Sequence, residues 1–78
     1  MNLNKAVAIV TGGASGIGAA AVELLAAEGA TVIAADVQEG KAGAAGRFAR
    51  HDVASEDSWK ALLADVLKRE GRLDIMVN

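Results

Sequence analysis

The amino-acid sequence predicts an α/β fold built on a doubly wound parallel sheet, and three observations lead to this prediction. Short apolar runs rich in β-branched residues alternate along the chain with longer segments of helical periodicity. Those runs are apolar throughout, which is typical of strands buried on both faces of a parallel sheet. Four glycines fall within TGGASGIG, residues 11–18, directly between the first such run and the first helical segment. The predicted element order is β-α-β-α-β-α-β.

The first strand is predicted at AVAIV, residues 6–10, and the first helix at residues 17–28. Gly29 follows the helix where a left-handed C-cap is expected. Four apolar residues of this helix have the spacing of a single face, which we expect to pack on the sheet. They are Ile17, Ala21, Leu24 and Leu25.

The second strand is predicted at TVIAA, residues 31–35, and ends at Asp36. Residues 38–46, QEGKAGAAG, contain three glycines and no large apolar side chain, so they predict either a short weak helix or a loop. RFAR, residues 47–50, is predicted as the third strand. The expected order of strands across the sheet is 3-2-1-4, with right-handed crossovers.

The last helix is predicted to begin at Ser55, a good N-cap followed by two acidic residues in the first turn. Gly71 suits the C-cap, and LDIMVN, residues 73–78, starts a fourth strand. Five apolar residues with helical spacing form a stripe that we expect to pack on the core. They are Trp59, Leu62, Leu63, Val66 and Leu67.

Composition excludes several classes of function. The net charge is -2 without any basic block, which argues against nucleic-acid binding. There is no cysteine and a single histidine, so neither a disulfide framework nor a metal site is expected. No apolar stretch approaches the roughly 20 residues of a membrane span, and no signal peptide is present, so a cytoplasmic protein without membrane contact is expected.

The glycine cluster has a physical explanation at the junction of a strand and a helix. Gly12 and Gly13 would allow a tight turn, Gly16 would let a pyrophosphate approach the backbone, and Gly18 would let the helix pack closely on the strand. The N-terminus of a helix offers unpaired N–H groups and a favourable dipole to a phosphate. The sequence therefore predicts a dinucleotide-binding turn of the Rossmann type.

Asp36 supplies the second part of this fingerprint. It lies 18 residues after Gly18, close to the expected spacing of about 20, and its carboxylate can accept hydrogen bonds from the ribose hydroxyls. It would repel a 2′-phosphate, and neither Ala14 nor Val37 is a cation that would neutralise one. NAD is therefore expected rather than NADP. The alternative is a solvated carboxylate at a strand end.

These motifs resemble the short-chain dehydrogenase/reductase family. TGGASGIG matches the family's Thr-Gly-x-x-x-Gly-x-Gly turn, and Asp36, the pair Asp52-Val53 and LDIMVN follow in the family's order. The stretch RFARHDVASEDSW resembles the corresponding part of bacterial hydroxysteroid dehydrogenases.

The resemblance implies a set of cofactor-binding residues. Asp52 would accept a hydrogen bond from the adenine amino group, or would instead only shape the start of the next helix. The Val53 N–H would donate to the adenine ring, and Asn78 would lie near the adenosine ribose. Thr11 would tie the turn to the fourth strand, or would merely end the first. The whole set implied for NAD is Gly12, Ser15, Gly16, Ile17, Gly18, Asp36, Val37, Asp52, Val53 and Asn78.

The resemblance also implies an enzyme, an NAD-dependent oxidoreductase that interconverts a secondary alcohol and a ketone. The family uses a Tyr-x-x-x-Lys pair, and these 78 residues contain no tyrosine, so no catalytic residue is expected here. Residues 1–78 are expected to be the N-terminal part of a single dinucleotide-binding domain, inactive and poorly folded alone. The parent is expected to be a homo-oligomer that acts on a small alcohol or ketone.

Two alternatives stay open at this point: a non-catalytic module that binds an adenine nucleotide, or a structural fragment. His51 is expected at the rim of a pocket or on the surface, because its place near the adenine end does not suit a general base. Trp59 is expected in the core rather than stacked on a base.

Overall fold

The computed structural model describes residues 3–13, 16–38 and 46–78. Its strands and helices follow the predicted order. The elements are β1 Val7–Thr11, α1 Gly16–Ala27, β2 Thr31–Asp36, β3 Arg47–Arg50, α2 Glu56–Arg69 and β4 Ile75–Val77. The alternative of a short helix or a loop at residues 38–46 falls mostly on residues 39–45, which lie outside the described residues.

All the described strands form one parallel sheet in the order β3-β2-β1-β4, which confirms the expected order. The central pair is β1 and β2, with Val7 opposite Thr31 and Thr11 opposite Ala35. β3 extends the sheet beside β2, and β4 extends it beside β1. Because the strands are parallel, their carboxyl ends share one edge of the sheet, which is named the carboxyl edge below.

One helix packs on each face of the sheet, as a doubly wound fold requires. On one face, α2 buries Leu62 and Val66 against alternate residues of β1 and β2, which include Ile9 and Ile33. On the other face, α1 buries Val22 against the remaining alternate residues of these strands. The two central strands are therefore covered on both sides, in agreement with their uniformly apolar sequences.

The predicted packing face of α1 is confirmed for two of its four residues and wrong for the other two. Ile17 is 91% exposed and Leu24 is also exposed, whereas Val22 is buried. Ala21 and Leu25 do pack against the core. This alanine-rich helix has apolar residues of its own all around its axis, so their spacing could not show which side faces the sheet. The same stripe prediction holds better for α2, where only its last member, Leu67, is exposed.

Predicted helix caps are confirmed. The Ser55 side chain accepts a hydrogen bond from the Ser58 N–H, which satisfies one of the free donors at the start of α2. Gly29 and Gly71 follow the two helices with φ of +98° and +82°, a left-handed conformation that glycine adopts without strain. No helix in the described part of the chain has the length and apolar character needed to cross a membrane.

Asp74 joins the start of β4 to the start of β1. Its N–H donates to the Val7 carbonyl (2.9 Å), and its carboxylate accepts from the Val7 N–H (2.9 Å). Arg72 donates to both oxygens of the same carboxylate, at 2.8 and 2.6 Å. The hydrogen bond from Arg72 and that from the Val7 backbone lower the pKa of Asp74.

We predict that the free energy of unfolding of Asp74→Asn depends less on pH in acid than that of the wild type. A carboxyl whose pKa is lowered by folding adds stability above its unfolded-state pKa of about 3.9, and this stability is lost as the pH falls through the lower folded-state pKa. Urea unfolding between about pH 5 and pH 2 should therefore show a shallower loss of stability in Asp74→Asn than in wild type. Glu23→Gln, which removes an exposed carboxylate of α1, is the control and should follow the wild-type curve. Parallel curves for wild type and Asp74→Asn would contradict the prediction.

Candidate functional site

The turn between β1 and α1 begins the candidate site at the carboxyl edge. Gly12 has φ of +68°, and its N–H donates to the Ala35 carbonyl of β2 at 2.8 Å. Gly13 is buried, and a Cβ on it would lie only 2.9 Å from the Ala34 Cβ. A side chain at either position would strain or displace the turn, so the chain can leave β1 this tightly only with glycine here.

Gly18 brings the first turn of α1 against this loop. A Cβ on Gly18 would overlap the Gly12 carbonyl oxygen and lie 2.6 Å from its carbon. The predicted close approach is thus present, but the nearest neighbour is the turn and not the strand. Gly16 opens α1 with φ of +59°, and a Cβ there would meet no described atom within 4 Å. The backbone at the helix N-terminus is therefore open to a phosphate group. Ser15 and Ala14 lie outside the described residues.

Asp36 lies at the end of β2, beside this turn. Its Oδ1 accepts a hydrogen bond from the Val37 N–H at 2.7 Å. Arg50, the last residue of β3, is in register with Asp36 and donates from its guanidinium to the Val37 carbonyl at 2.7 Å. The parallel register thus brings a cation, Arg50, to this edge, in addition to the positions of Ala14 and Val37 that were considered from the sequence.

The loop from β3 to α2 is held by hydrogen bonds around Asp52. The Asp52 Oδ1 accepts from the Ala54 N–H (2.9 Å), and the Asp52 carbonyl accepts from the Ser55 N–H (3.0 Å). Asp52 therefore does shape the start of α2, which was one of its two predicted roles. Its side chain is also exposed at the carboxyl edge, and neighbouring Val53 is 60% exposed. Val37 at the end of β2 is 53% exposed.

His51 is not on the surface, contrary to expectation: it is 2% exposed. β3 directs its side chain to the face that α2 covers, because His51 is two residues beyond Ala49, which packs in that core. Its Nδ1 lies 3.0 Å from the Ser58 Oγ, and its ring meets the Trp59 ring edge-on with centroids 4.2 Å apart. Trp59 is confirmed as a packing residue, and its Nε1–H donates to the Val53 carbonyl at 3.0 Å.

Thr11 closes the site on the side of β4. Its hydroxyl lies 3.2 Å from the Val77 carbonyl oxygen and 3.3 Å from the Asn78 Oδ1. The predicted tie between the turn and the fourth strand is therefore present, and Thr11 also ends β1. Asn78 is exposed, with its amide beside this hydroxyl.

The carboxyl edge thus brings together the described members of the predicted set, from the start of α1 across to the start of α2. Sequence reasoning missed Arg50 and Ser58. Pairing the last residues of adjacent parallel strands could have found Arg50. A cavity of about 300 Å³ between β3 and α2 lies apart from the glycine turn, and its ionic side chains are largely paired with one another. The candidate site is therefore assigned to the carboxyl edge rather than to this cavity.

This arrangement is that of the first half of a dinucleotide-binding domain: a glycine turn, a helix N-terminus and an acid at the end of the second parallel strand. The family model for short chain dehydrogenases matches residues 6–78. The chain therefore belongs to the short-chain dehydrogenase family.

Individual relatives and structures agree with this assignment. The chain is 43% identical to 3-beta-hydroxysteroid dehydrogenase of Comamonas testosteroni, over 97% of this chain and 33% of that protein. It thus spans about a third of the length of this curated relative. The crystal structure of a hydroxysteroid dehydrogenase from Escherichia coli matches with a TM-score of 0.90 and 29% identity, over 99% of this chain and 36% of that one.

Another solved structure that matches this chain has a title that does not name a dehydrogenase. The chain titled ribose-5-phosphate isomerase from Brucella melitensis superposes with a TM-score of 0.88 and 38% identity, over 99% of this chain and 32% of that one. Since one fold supports many reactions, this neighbour supports the architecture.

We predict that Gly18→Ala destabilises the protein. At an ordinary helical position this change would stabilise by about 1 kcal/mol, because alanine has the higher helix propensity. Here the new Cβ must displace the Gly12 backbone, and overpacking of this kind costs about 1–3 kcal/mol. Urea unfolding shows whether the substitution lowers or raises the free energy of unfolding. Ala20→Gly, at an exposed position of the same helix, calibrates the propensity and should cost about 1 kcal/mol. A stabilised Gly18→Ala would show that the contact is absent.

Proposed function

We propose that this chain forms the adenosine-binding part of an NAD-dependent dehydrogenase that interconverts a secondary alcohol and a ketone. The observation that carries the proposal is the position of Asp36, which ends β2 directly beside the glycine turn of a short-chain dehydrogenase. Residues 1–78 are proposed to be the N-terminal part of a single dinucleotide-binding domain.

The turn and the start of α1 are proposed to hold the pyrophosphate. Gly12 and Gly16 have positive φ, and the open space at the Gly16 α-carbon lets a bulky anion reach the backbone. The helix dipole and the free N–H groups of the first turn favour negative charge at this point. Ile17, exposed at the same helix end, and Ser15 are proposed to flank the phosphates.

Asp36 is proposed to accept hydrogen bonds from the hydroxyls of the adenosine ribose and to exclude a 2′-phosphate by charge repulsion. Arg50 brings a positive charge to the same edge. Its guanidinium donates to the carbonyl of Val37, next to Asp36, so the site contains an acid that opposes a phosphate and a cation that would attract one. The preference for NAD therefore depends on the Asp36 carboxylate rather than on a lack of cations.

The adenine is proposed to lie between the exposed side chains of Val37 and Val53. Both valines lie at the carboxyl edge, Val37 directly after β2 and Val53 in the loop after β3, and apolar surface on two sides suits an aromatic ring. Asp52 would accept a hydrogen bond from the adenine amino group with its Oδ2, because Oδ1 accepts from the Ala54 N–H. The Val53 N–H would donate to the ring, and Asn78 would lie near the adenosine ribose.

The reaction itself is proposed for the whole protein. NAD, when bound, supplies a nicotinamide ring that accepts a hydride from the alcohol carbon or, when reduced, returns it to the ketone carbon. The hydroxysteroid of the Comamonas relative carries its hydroxyl on a ring carbon, which supports a secondary alcohol as the substrate class. The residues of this chain bind and orient the adenosine end. Because the sequence contains no tyrosine, the chain alone is proposed to be inactive.

We predict that Asp36→Ala reverses or abolishes the preference for NADH over NADPH. Loss of hydrogen bonds to a charged group should weaken NADH binding by roughly 10- to 100-fold, and removal of the repulsive charge should improve NADPH binding. Fluorescence or calorimetric titration of both dinucleotides gives the two dissociation constants. Glu23→Gln, which removes a carboxylate remote from the edge, is the charge-matched control and should change neither constant.

A second variant separates the roles of the acid and the cation. In Asp36→Ala combined with Arg50→Gln, the gain in NADPH binding should disappear while NADH binding stays weak. If Asp36→Ala left the ratio of the two dissociation constants unchanged, Asp36 would be a solvated carboxylate at a strand end and the proposed cofactor preference would be wrong.

A further inference from the structure

We propose that His51 and Ser58 are positioning residues that hold Asp52 ready for the adenine amino group. This inference rests on the proposed function, since it concerns how the adenine is recognised. His51 is a buried histidine that takes no part in the contacts proposed for the cofactor. His51 lies immediately before Asp52, and its imidazole is directed into the protein while the Asp52 carboxylate is exposed.

Ser58 is the centre of the arrangement. Its Oγ accepts a hydrogen bond from the Asp52 N–H at 3.0 Å and lies 3.0 Å from the His51 Nδ1. Its own N–H donates to the Ser55 Oγ, the N-cap of α2. One hydroxyl thus joins the backbone of Asp52 to a buried side chain and to the rigid start of a helix.

The two hydrogen bonds of the hydroxyl act together. Because the Asp52 N–H already donates to Oγ, the hydroxyl proton is free to point at Nδ1. That geometry sets the rotamer of Ser58 and with it the position of the Asp52 backbone. In the other tautomer Nδ1–H donates to Oγ, and the same three residues stay joined. Either way, the hydrogen bond with the buried ring restrains the Ser58 Oγ beside His51.

The remaining hydrogen bonds of the loop transmit this position to the adenine site. The Asp52 carbonyl accepts from Ser55, and its Oδ1 accepts from Ala54, so the backbone and one carboxylate oxygen are both fixed. The Trp59 Nε1–H donates a hydrogen bond to the Val53 carbonyl and so restrains that residue. The Asp52 Oδ2 and the Val53 N–H are thereby presented together. Positioning groups of this kind raise selectivity because a displaced acceptor discriminates less between ligands.

The two imidazole nitrogens have different surroundings, which makes the proposal testable. Nδ1 faces Ser58, whereas Nε2 is buried without a hydrogen-bond partner among the residues that the structure describes. Asparagine has a polar atom three bonds from Cα, as Nδ1 is, and glutamine has its polar atoms one bond further out, as Nε2 is. His51→Asn therefore preserves the group that acts on Ser58, and His51→Gln preserves the other one.

The experiment compares two ligands that differ at one edge of the base: NADH and reduced nicotinamide hypoxanthine dinucleotide, whose base has an oxygen in place of the adenine amino group and a proton on N1. Binding to the full-length protein is titrated well below the unfolding temperature of the least stable variant. Wild type should prefer NADH, and Asp52→Asn should reduce that preference about tenfold. His51→Gln and Ser58→Ala should reduce it similarly, whereas His51→Asn and Ser58→Thr should retain most of it.

The outcomes separate the proposal from the function on which it rests. Failure of wild type to bind NADH would overturn the proposed function. The preference of the wild type for NADH could be lost in Asp52→Asn and yet survive in both His51→Gln and Ser58→Ala. That result would overturn only the positioning role. Equal losses in His51→Asn and His51→Gln would also overturn it, since both variants lose the ring contact with Trp59 and a purely structural role affects them alike.

Discussion

The contact between the α-carbon of Gly18 and the carbonyl of Gly12 is the constraint on which the rest of the site depends. No side chain fits between them, so the first turn of α1 lies directly on the turn that leaves β1. This contact sets the height of the helix N-terminus above the sheet and the rotation of the helix about its axis. The amide groups of that N-terminus consequently face the carboxyl edge, where an anion would be stabilised.

The parallel sheet places the other groups of the candidate site by position alone. Strands of the same direction end together, so the last residues of β2 and β3 lie at the same edge of the sheet as the glycine turn although they are distant in sequence. Asp36 and Arg50 are neighbours for this reason. The carboxyl edge is therefore polar and irregular, while the centre of each strand is apolar and buried on both faces. This separation lets the core tolerate a polar site at its end.

The strands, the order of the sheet and the helix caps could be predicted from the sequence because each depends on local chemistry. Uniformly apolar runs indicate strands that are buried on both faces, and Ser55 and Gly71 indicate the two ends of α2. The rotation of α1 could not be predicted, since apolar residues lie all around it and the contact at Gly18 decides which of them, Val22 rather than Ile17, is buried. The burial of His51 was missed for a similar reason. A polar residue beyond a strand suggests the surface, and only the position of Ser58 on the adjacent helix supplies its partner.

The site is also coupled internally, which bears on how its residues contribute. The Gly12 N–H donates to the carbonyl of Ala35, so one hydrogen bond joins the turn that is proposed to hold the pyrophosphate to the residue immediately before Asp36, the acid that is proposed to bind the ribose. A displacement of the turn must therefore move the acid. Groups joined in this way are not expected to contribute independently to the proposed binding, because each helps to hold the other in place. The loss of binding free energy in a turn variant and the loss in an Asp36 variant should consequently add up to more than the loss in the double variant. Either change alone already weakens the geometry that both groups share.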